Sequence, residues 1–405
     1  MSKLSNVSCY VTEKISVDSI DISEYITTDN LLQNKKGRVI AEKLPTQKVT
    51  RFKKNDILIA NIRPYLKKIW QADIDGGASS DVLVVRPNDV IDNNFLYYAL
   101  TQDSFFEYVM KGSKGTKMPR GDKSQIMNFV IPDLEIDEQI KIGKLLKSID
   151  QKIQINNQIN QELETMAKTL YDYWFVQFDF PDQNGHPYKS SGGKMVYNPE
   201  LKREIPEGWG VEKLSEFLVL NKDKYNKELN WQKIHYLETS NLIENKIEKL
   251  KKIDIKSDKI PSRAKEIVKD RDILYSLVRP NQMHFGFIRN PIQNLVASTG
   301  FVLLSCEDNP IYNIFFYLFM TLPNNVRRMI KLSESSTSSY PSIRPEDILN
   351  MEIVTPYDFS NYRSLVEYLD KIYYQIDVLY KQNEALIQLR DWLLPMLMNG
   401  QVKVE

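Results

Sequence analysis

Five bases stand against a single acid, Asp122, in the glycine-containing stretch KGSKGTKMPRGDK from Lys111 to Lys123. Within it Lys114, Thr116, Lys117 and Arg120 combine positive charge with a hydroxyl on a chain that glycine keeps pliable. From Lys35 to Lys68 eleven Lys and Arg residues face only Glu42 and Asp56, and the run closes on Arg63, Lys67 and Lys68. The second half of the chain carries ten bases against five acids between Lys246 and Arg271, followed by Arg279. A hydroxyl-rich segment, SESSTSSYPSIR, then supplies Ser336, Thr337, Ser338 and Arg344. Lysine and arginine neutralise phosphate, while Arg, Ser, Thr and Asn also donate to and accept from base edges, so these residues are candidate DNA contacts. The net charge is only +1, so any such affinity is local to the loops. A solvated lysine face would give similar runs, and the pairs Arg63-Pro64 and Arg279-Pro280 also suit the ends of strands.

Other chemistry is not encoded in recognisable form. The three histidines, His186, His235 and His284, have no metal-ligand spacing and no cysteine beside them. No glycine-rich phosphate loop or dinucleotide fingerprint occurs. An amino-methyltransferase calls for Asn/Asp-Pro-Pro-aromatic, and the segments NPEL, NPIQ and NPIY each lack the second proline. The acids of PDLEIDEQIK suit a helix N-terminus better than a nuclease site. We therefore expect no catalytic, cofactor-binding or metal-binding residue in this chain. Cys9 and Cys306 are the only cysteines, so no disulfide framework is indicated. The N-terminus lacks an apolar signal core, and no apolar run approaches the ~18 residues of a membrane span. A cytoplasmic protein without membrane contact is expected.

Loops need elements to hold them, and those elements occur twice. YITTDNLLQNK (Tyr25 to Lys35) returns as YLETSNLIENK (Tyr236 to Lys246), DILIANIRP as DILYSLVRP, and ASSDVLVV as ASTGFVLL. MPRGDKSQIMNFVIP is answered by YPSIRPEDILNMEIVTP. A period of roughly 215 residues is too long for a solenoid and implies two domain-sized copies. Two copies also fit a chain of 405 residues, which exceeds a single hydrophobic core.

Each copy closes with a helical pattern. Apolar residues recur at Ile142, Leu146, Ile149 and Ile153, break around Asn156, and resume at Ile159, Leu163, Met166 and Leu170. The second pattern runs Leu365, Leu369, Ile372, Ile376 and Leu379, is interrupted at Asn383, and resumes at Leu386, Leu389 and Leu393. Alternating steps of three and four form a narrow seam for one partner helix, so the two helices are expected to pair. Antiparallel pairing would relate the two domains by a pseudo-twofold axis. Asn156 and Asn383 are candidates for setting helix–helix register, since a polar seam residue fixes alignment at a cost in stability. Between the copies, Phe178 to Gly210 is rich in Pro, Gly, Ser and Asn and reads as a connector.

The order of these parts resembles the specificity subunit of type I restriction-modification systems along essentially the whole chain. The resemblance is carried by IPDLEIDEQIKIGKLLKSIDQKI running into LYDYWFVQFDFP, by IPEGWG, and by the ending LRDWLLPMLMNGQV. The second helix departs from it, since TPYDFSNYRSLVEYLD lacks the Glu-Gln-led start of the first. The resemblance implies an α+β (α/β) protein with two β-rich target-recognition domains, separated by two long helices in an antiparallel coiled coil. Residues 1–132 and 206–356 would be the recognition domains, 133–178 and 357–405 the helices, and 179–205 the connector. It further implies a non-catalytic reader of double-stranded DNA, each domain binding one half of a bipartite site. Two methylation subunits, carrying S-adenosylmethionine, and restriction subunits would be its partners. A helix from about Glu138 to Trp174 would run ~50 Å, so the domains could lie about one duplex turn apart, ~34–36 Å. A stand-alone nucleic-acid-modifying enzyme and a coiled-coil scaffold without DNA remain the alternatives.

Overall fold

The computed structural model describes residues 1–306, 309–335 and 340–404. Ser336, Thr337 and Ser338 lie outside the described residues. The chain divides into two compact units, residues 1–155 with 382–405, and residues 156–381.

In the first unit the strand Ile57–Ala60 is buried at every position, so it needs cover on both faces. It sits centrally in a four-stranded antiparallel sheet, between Val82–Pro87 and Ile69–Gln71, with Ser8–Tyr10 on the outer edge of Val82–Pro87. Successive side chains of a strand point to opposite faces. Ile57, Ile59, Leu83 and Val85 therefore join a helix-covered core with Phe95, Leu96 and Phe105. Leu58, Ala60, Val82 and Val84 face the other way and pack with Ile26, Phe52 and Trp70. Full burial of each such Ile, Leu or Val contributes roughly 1.5–3 kcal/mol. The second sheet runs Lys14–Ile15, Val49–Phe52, Gly76–Ala78, Tyr25–Ile26, the last pair parallel.

The second unit repeats this plan. Ile273–Ser276 is again fully buried and lies between Phe301–Cys306 and Phe285–Phe287, with Leu218–Leu220 on the edge. Lys233–Leu237 pairs in parallel with Leu295–Ser298, as Tyr25–Ile26 does with Gly76–Ala78. Each repeat is closed by a strand pair from its two ends: Ser2–Lys3 with Val130–Ile131, and Trp209–Lys213 with Glu352–Pro356. The sequence echo is thus a structural duplication.

Two helices of 36 residues each, Ile136–Tyr171 and Arg363–Met398, follow these closing strands. The Glu-Gln start of the first helix has a structural use. Gln139 accepts from the Asp92 backbone N–H at 3.0 Å and donates to the Leu134 carbonyl at 2.8 Å, tying the helix to the capped start of Asn93–Thr101. Gly143 permits that approach, since a Cβ there would lie 2.5 Å from Asp92 Oδ1.

The expected break in the apolar stripe is absent. The buried stripe continues through Asn156, Asn160 and Ala167 to Tyr171, whereas Ile159 and Met166 are exposed. The second helix behaves alike: Asn383 and Leu394 are buried and Leu389 is exposed. Counting only apolar residues hid the true stripe because asparagines occupy part of it. Within each unit the helix segments run antiparallel. In the first, Arg390 meets Asp150 at 2.7 Å and Asn383 faces the Ile153 carbonyl at 3.5 Å. In the second, Asn160 faces the Ile376 carbonyl at 3.5 Å, and Met166 meets Tyr368.

The aromatic residues of LYDYWFVQFDFP and IPEGWG fold onto one another in the second unit. Phe180 stacks on Trp209 at 5.3 Å, and Phe175 meets Phe315 edge-on at 4.8 Å. Gly208, at φ +81°, makes the turn that delivers Trp209. The connector is partly ordered into a hairpin of Met195–Asn198 with Arg203–Pro206. In the first unit, Leu394, Leu397 and Met398 of the chain ending LLPMLM bury themselves in the helix-covered core.

Candidate nucleic-acid interface

At the end of Ile57–Ala60 the chain turns through Arg63, whose backbone is left-handed at φ 52°, ψ 61°. Pro64 then starts a short 3-10 turn that ends in a second left-handed residue, Lys67. Such angles are uncommon for side-chain-bearing residues and cost of order 1 kcal/mol or more each. The turn is held by the basic loop. The Arg63 N–H donates to the Pro119 carbonyl at 2.8 Å, and the Gly121 N–H to the Asn61 carbonyl at 3.1 Å. Lys114 and Arg120 exchange backbone hydrogen bonds at 2.9 Å each way, which leaves Gly115 (φ +94°), Thr116, Lys117 and Met118 as an exposed tip.

The structure therefore joins Arg63 with Lys114, Thr116, Lys117 and Arg120, which are 51 to 57 positions apart in sequence. Their charges are not equally free. Arg120 meets Asp81 at 3.1 Å, and Lys114 lies 3.6 Å from Asp122. Asp122 caps the turn Lys123–Ile126, and hydrogen bonds from Ser124 and Gln125, with Lys114 nearby, hold its carboxyl down at about 2. Lys67 meets Asp103 at 2.9 Å, sharing it with Lys35 at 2.8 Å. Lys68 turns inward and donates to the Thr28 carbonyl, and burial lowers its ammonium pKa. Arg63 and Lys117 form no ion pair among the described residues.

The second unit builds the same junction. Arg279 is left-handed at φ 51°, ψ 64° and again precedes a proline-led 3-10 turn. Its N–H donates to the Pro341 carbonyl at 2.9 Å, and the Ile343 N–H to the Leu277 carbonyl at 2.9 Å. The Arg279 guanidinium lies over the exposed Tyr340 ring, 4.9 Å from its centre. Arg344 is exposed and 3.6 Å from Asp347. The last two bases of the run Lys246 to Arg271 are engaged within the unit. Arg271 and Arg289 are bound to Asp370 and Asp270, and Lys269 pairs with Asp223.

Three features were missed at the sequence level. Tyr65 and Tyr340 are half-exposed aromatics beside the two strained arginines, and adjacency to Arg-Pro and to the hydroxyl-rich loop was the available signal. Asn160 is buried like Asn156 and Asn383, and its spacing of four from Asn156 was visible. No group of residues that could hold a metal occurs among the described residues. His284 is engaged by the Leu242 carbonyl at 2.6 Å and Gln282 at 3.1 Å.

Residues 11–165 match the family model described as type I restriction modification DNA specificity domain. The chain is 27% identical over 340 residues to the type I restriction enzyme MjaIX specificity subunit of Methanocaldococcus jannaschii, covering 79% of this chain and 72% of that one. It is 29% identical over 187 residues to the HindI specificity subunit of Haemophilus influenzae, covering 44% and 40% respectively. In fold it is similar to the crystal structure of a type I restriction-modification S subunit from M. genitalium, with a TM-score of 0.60 at 17% identity, over 98% of this chain and 95% of that one.

Proposed function

We propose, from the premise that this chain belongs to the type I restriction-modification DNA specificity family, that it selects the DNA on which such a complex acts. Each β-rich unit reads one half of a bipartite site. The observation that carries this is the duplicated junction. Two repeats of one fold present a strained arginine turn, stitched by backbone hydrogen bonds to a loop of different composition in each. A shared frame with unlike loops suits two half-sites of unlike sequence, since phosphate contacts position a reader and base contacts specify it.

The candidate contacts are Arg63, Lys67, Lys68, Lys114, Thr116, Lys117 and Arg120 in the first unit, and Arg279 and Arg344 in the second. Ser336, Thr337 and Ser338 belong to the same proposal on sequence grounds. The long helices set the spacing, with Asn156 and Asn383 fixing their register. Exposed apolar side chains on them, Ile155, Leu389 and Trp392 in the first unit and Ile159, Met166 and Tyr368 in the second, favour docking of the methylation subunits. We assign S-adenosylmethionine and the methyl transfer to those subunits, and no catalytic residue to this chain. Restriction subunits complete the assembly.

Genome-wide mapping of methylated adenine, with and without this chain, tests the proposal. A bipartite methylated motif that disappears with the chain is expected, as is no methyl transfer by the purified chain given labelled cofactor. An unchanged methylation map, or transfer by the chain alone, overturns it.

A further inference from the structure

The two repeats place an aspartate at one equivalent point and treat it differently. Asp56 precedes Ile57–Ala60, is 2% exposed, and accepts the Lys53 N–H at 2.8 Å. Asp272 precedes Ile273–Ser276, is 7% exposed, and accepts the Lys269 N–H at 2.7 Å. Strand register fixes what stands opposite each. Ile57 pairs with Val85 and Ile273 with Leu304, so Arg86 and Ser305 are equivalent positions. Arg86 clamps Asp56 with two hydrogen bonds, Nε to Oδ1 at 2.8 Å and Nη2 to Oδ2 at 2.6 Å. Ser305 is too short for a two-pronged clamp and offers Asp272 a single hydroxyl hydrogen bond. A cavity of about 220 Å³ lies there instead, lined by Asp272, Ser305, Asp223, Lys269, Val219 and Leu303 among others.

Asp272 forms no ion pair among the described residues. The Lys269 ammonium is taken by Asp223 at 2.5 Å, and Asp270 is held by Arg271 and Arg289. A buried carboxylate without a cation is unfavourable, and one beside an unfilled space has room for a partner. We propose that this cavity is a binding site for a guanidinium cation on a short alkyl stem, which takes on Asp272 the place that Arg86 takes on Asp56. The planar fork of guanidinium matches a carboxylate in a way that a spherical ion or a quaternary ammonium does not. Val219 and Leu303 supply apolar walls for the stem. The volume is below the ~300–1,000 Å³ of drug-sized sites, which restricts the ligand to a small molecule.

Burial pushes the Asp272 carboxyl up to about 6, with Lys269 and Asp223 acting on it in opposite senses. Besides Asp272, the charged groups lining the cavity among the described residues are Lys222, Asp223, Lys269 and Asp270. Binding needs the ionised carboxylate, so it weakens as pH falls through that value.

Methylguanidinium titrated into the full-length protein at pH 8 by calorimetry and thermal unfolding tests the site, with tetramethylammonium at matched ionic strength as control. One saturable methylguanidinium site per chain is expected, raising the unfolding temperature by roughly 2–4 °C at tenfold excess over Kd. Ser305→Arg fills the cavity and abolishes binding, while Arg86→Ser empties the equivalent space and raises the stoichiometry to two. Absence of saturable binding overturns the proposal, as does binding that survives Ser305→Arg. Should either variant fail to fold, wild-type affinity that is equal at pH 5 and pH 8 overturns it as well. The site is independent of DNA reading, and its failure leaves that function untouched.

Discussion

At the residue scale, the same carboxylate in two settings gives opposite expectations. Desolvation raises Asp272 above its unfolded pKa of 3.8 to about 6. The folded state therefore favours the protonated form, and the associated stability is fully present below pH 3.8 and lost as pH rises through about 6. Asp272→Asn should stabilise the second unit at pH 8 by on the order of 1–3 kcal/mol and change little at pH 4, as read by urea unfolding at the two pH values. Arg86→Ala should do the reverse, leaving Asp56 buried without its partner. We expect a destabilisation of about 1–3 kcal/mol, less than for a fully buried pair because Arg86 is partly exposed. In the candidate DNA-binding loops, Lys117→Ala should weaken binding alike to target and random duplex. Removing one lysine–phosphate interaction should reduce the slope of log affinity against log salt by about 0.9. Arg120→Ala should cost more on the target, ~1–3 kcal/mol if the arginine grips a guanine. Binding isotherms over a salt series separate the two, and unchanged affinity for both DNAs would remove this loop from the interface.

At the element scale, the helices carry a polar stripe that a purely apolar pattern does not describe. Asn160 and Asn383 each approach a carbonyl of the opposite helix at 3.5 Å, the outer limit of a hydrogen bond. Such interactions add little stability and much directional preference. If these helices set the half-site spacing, inserting four residues between Leu163 and Glu164 adds ~6 Å of helix. At ~3.4 Å per base pair, the non-specific spacer should lengthen by about one or two base pairs, with the half-sites unchanged and some affinity lost to rotation. Methylation mapping of the variant reads this directly, and an unaltered spacer with full activity would assign the ruler to the methylation subunits.

At the scale of the whole molecule, duplication predicts separable readers. Replacing residues 206–356 with those of a relative of different target should change one half-site and leave the other. Each segment is bounded by a strand pair of its own, Trp209–Lys213 with Glu352–Pro356 in the second copy, so the exchange preserves the closing strands. A target in which both halves changed would break the assignment of one unit to one half-site.

The duplication itself was legible in the sequence because strands like Ile57–Ala60 and Ile273–Ser276 need continuous apolar runs, and the arginine turns need Pro64 and Pro280 behind them. Those are local demands, and local sequence records them. The candidate DNA-facing loops, Lys111 to Lys123 above all, were also visible from charge. What the sequence could not convey was which charges stay free. Lys67 and Arg120 are matched by Asp103 and Asp81, partners 36 and 39 positions away. That the buried stripe runs on from Asn156 through Asn160 escaped for the same reason, since a polar residue is identified as buried only by what packs against it. Likewise the emptiness beside Asp272 depends on a serine opposite it in strand register, so only the tertiary structure could decide it: burial and pairing are properties of neighbours in space, and a linear pattern holds no record of them.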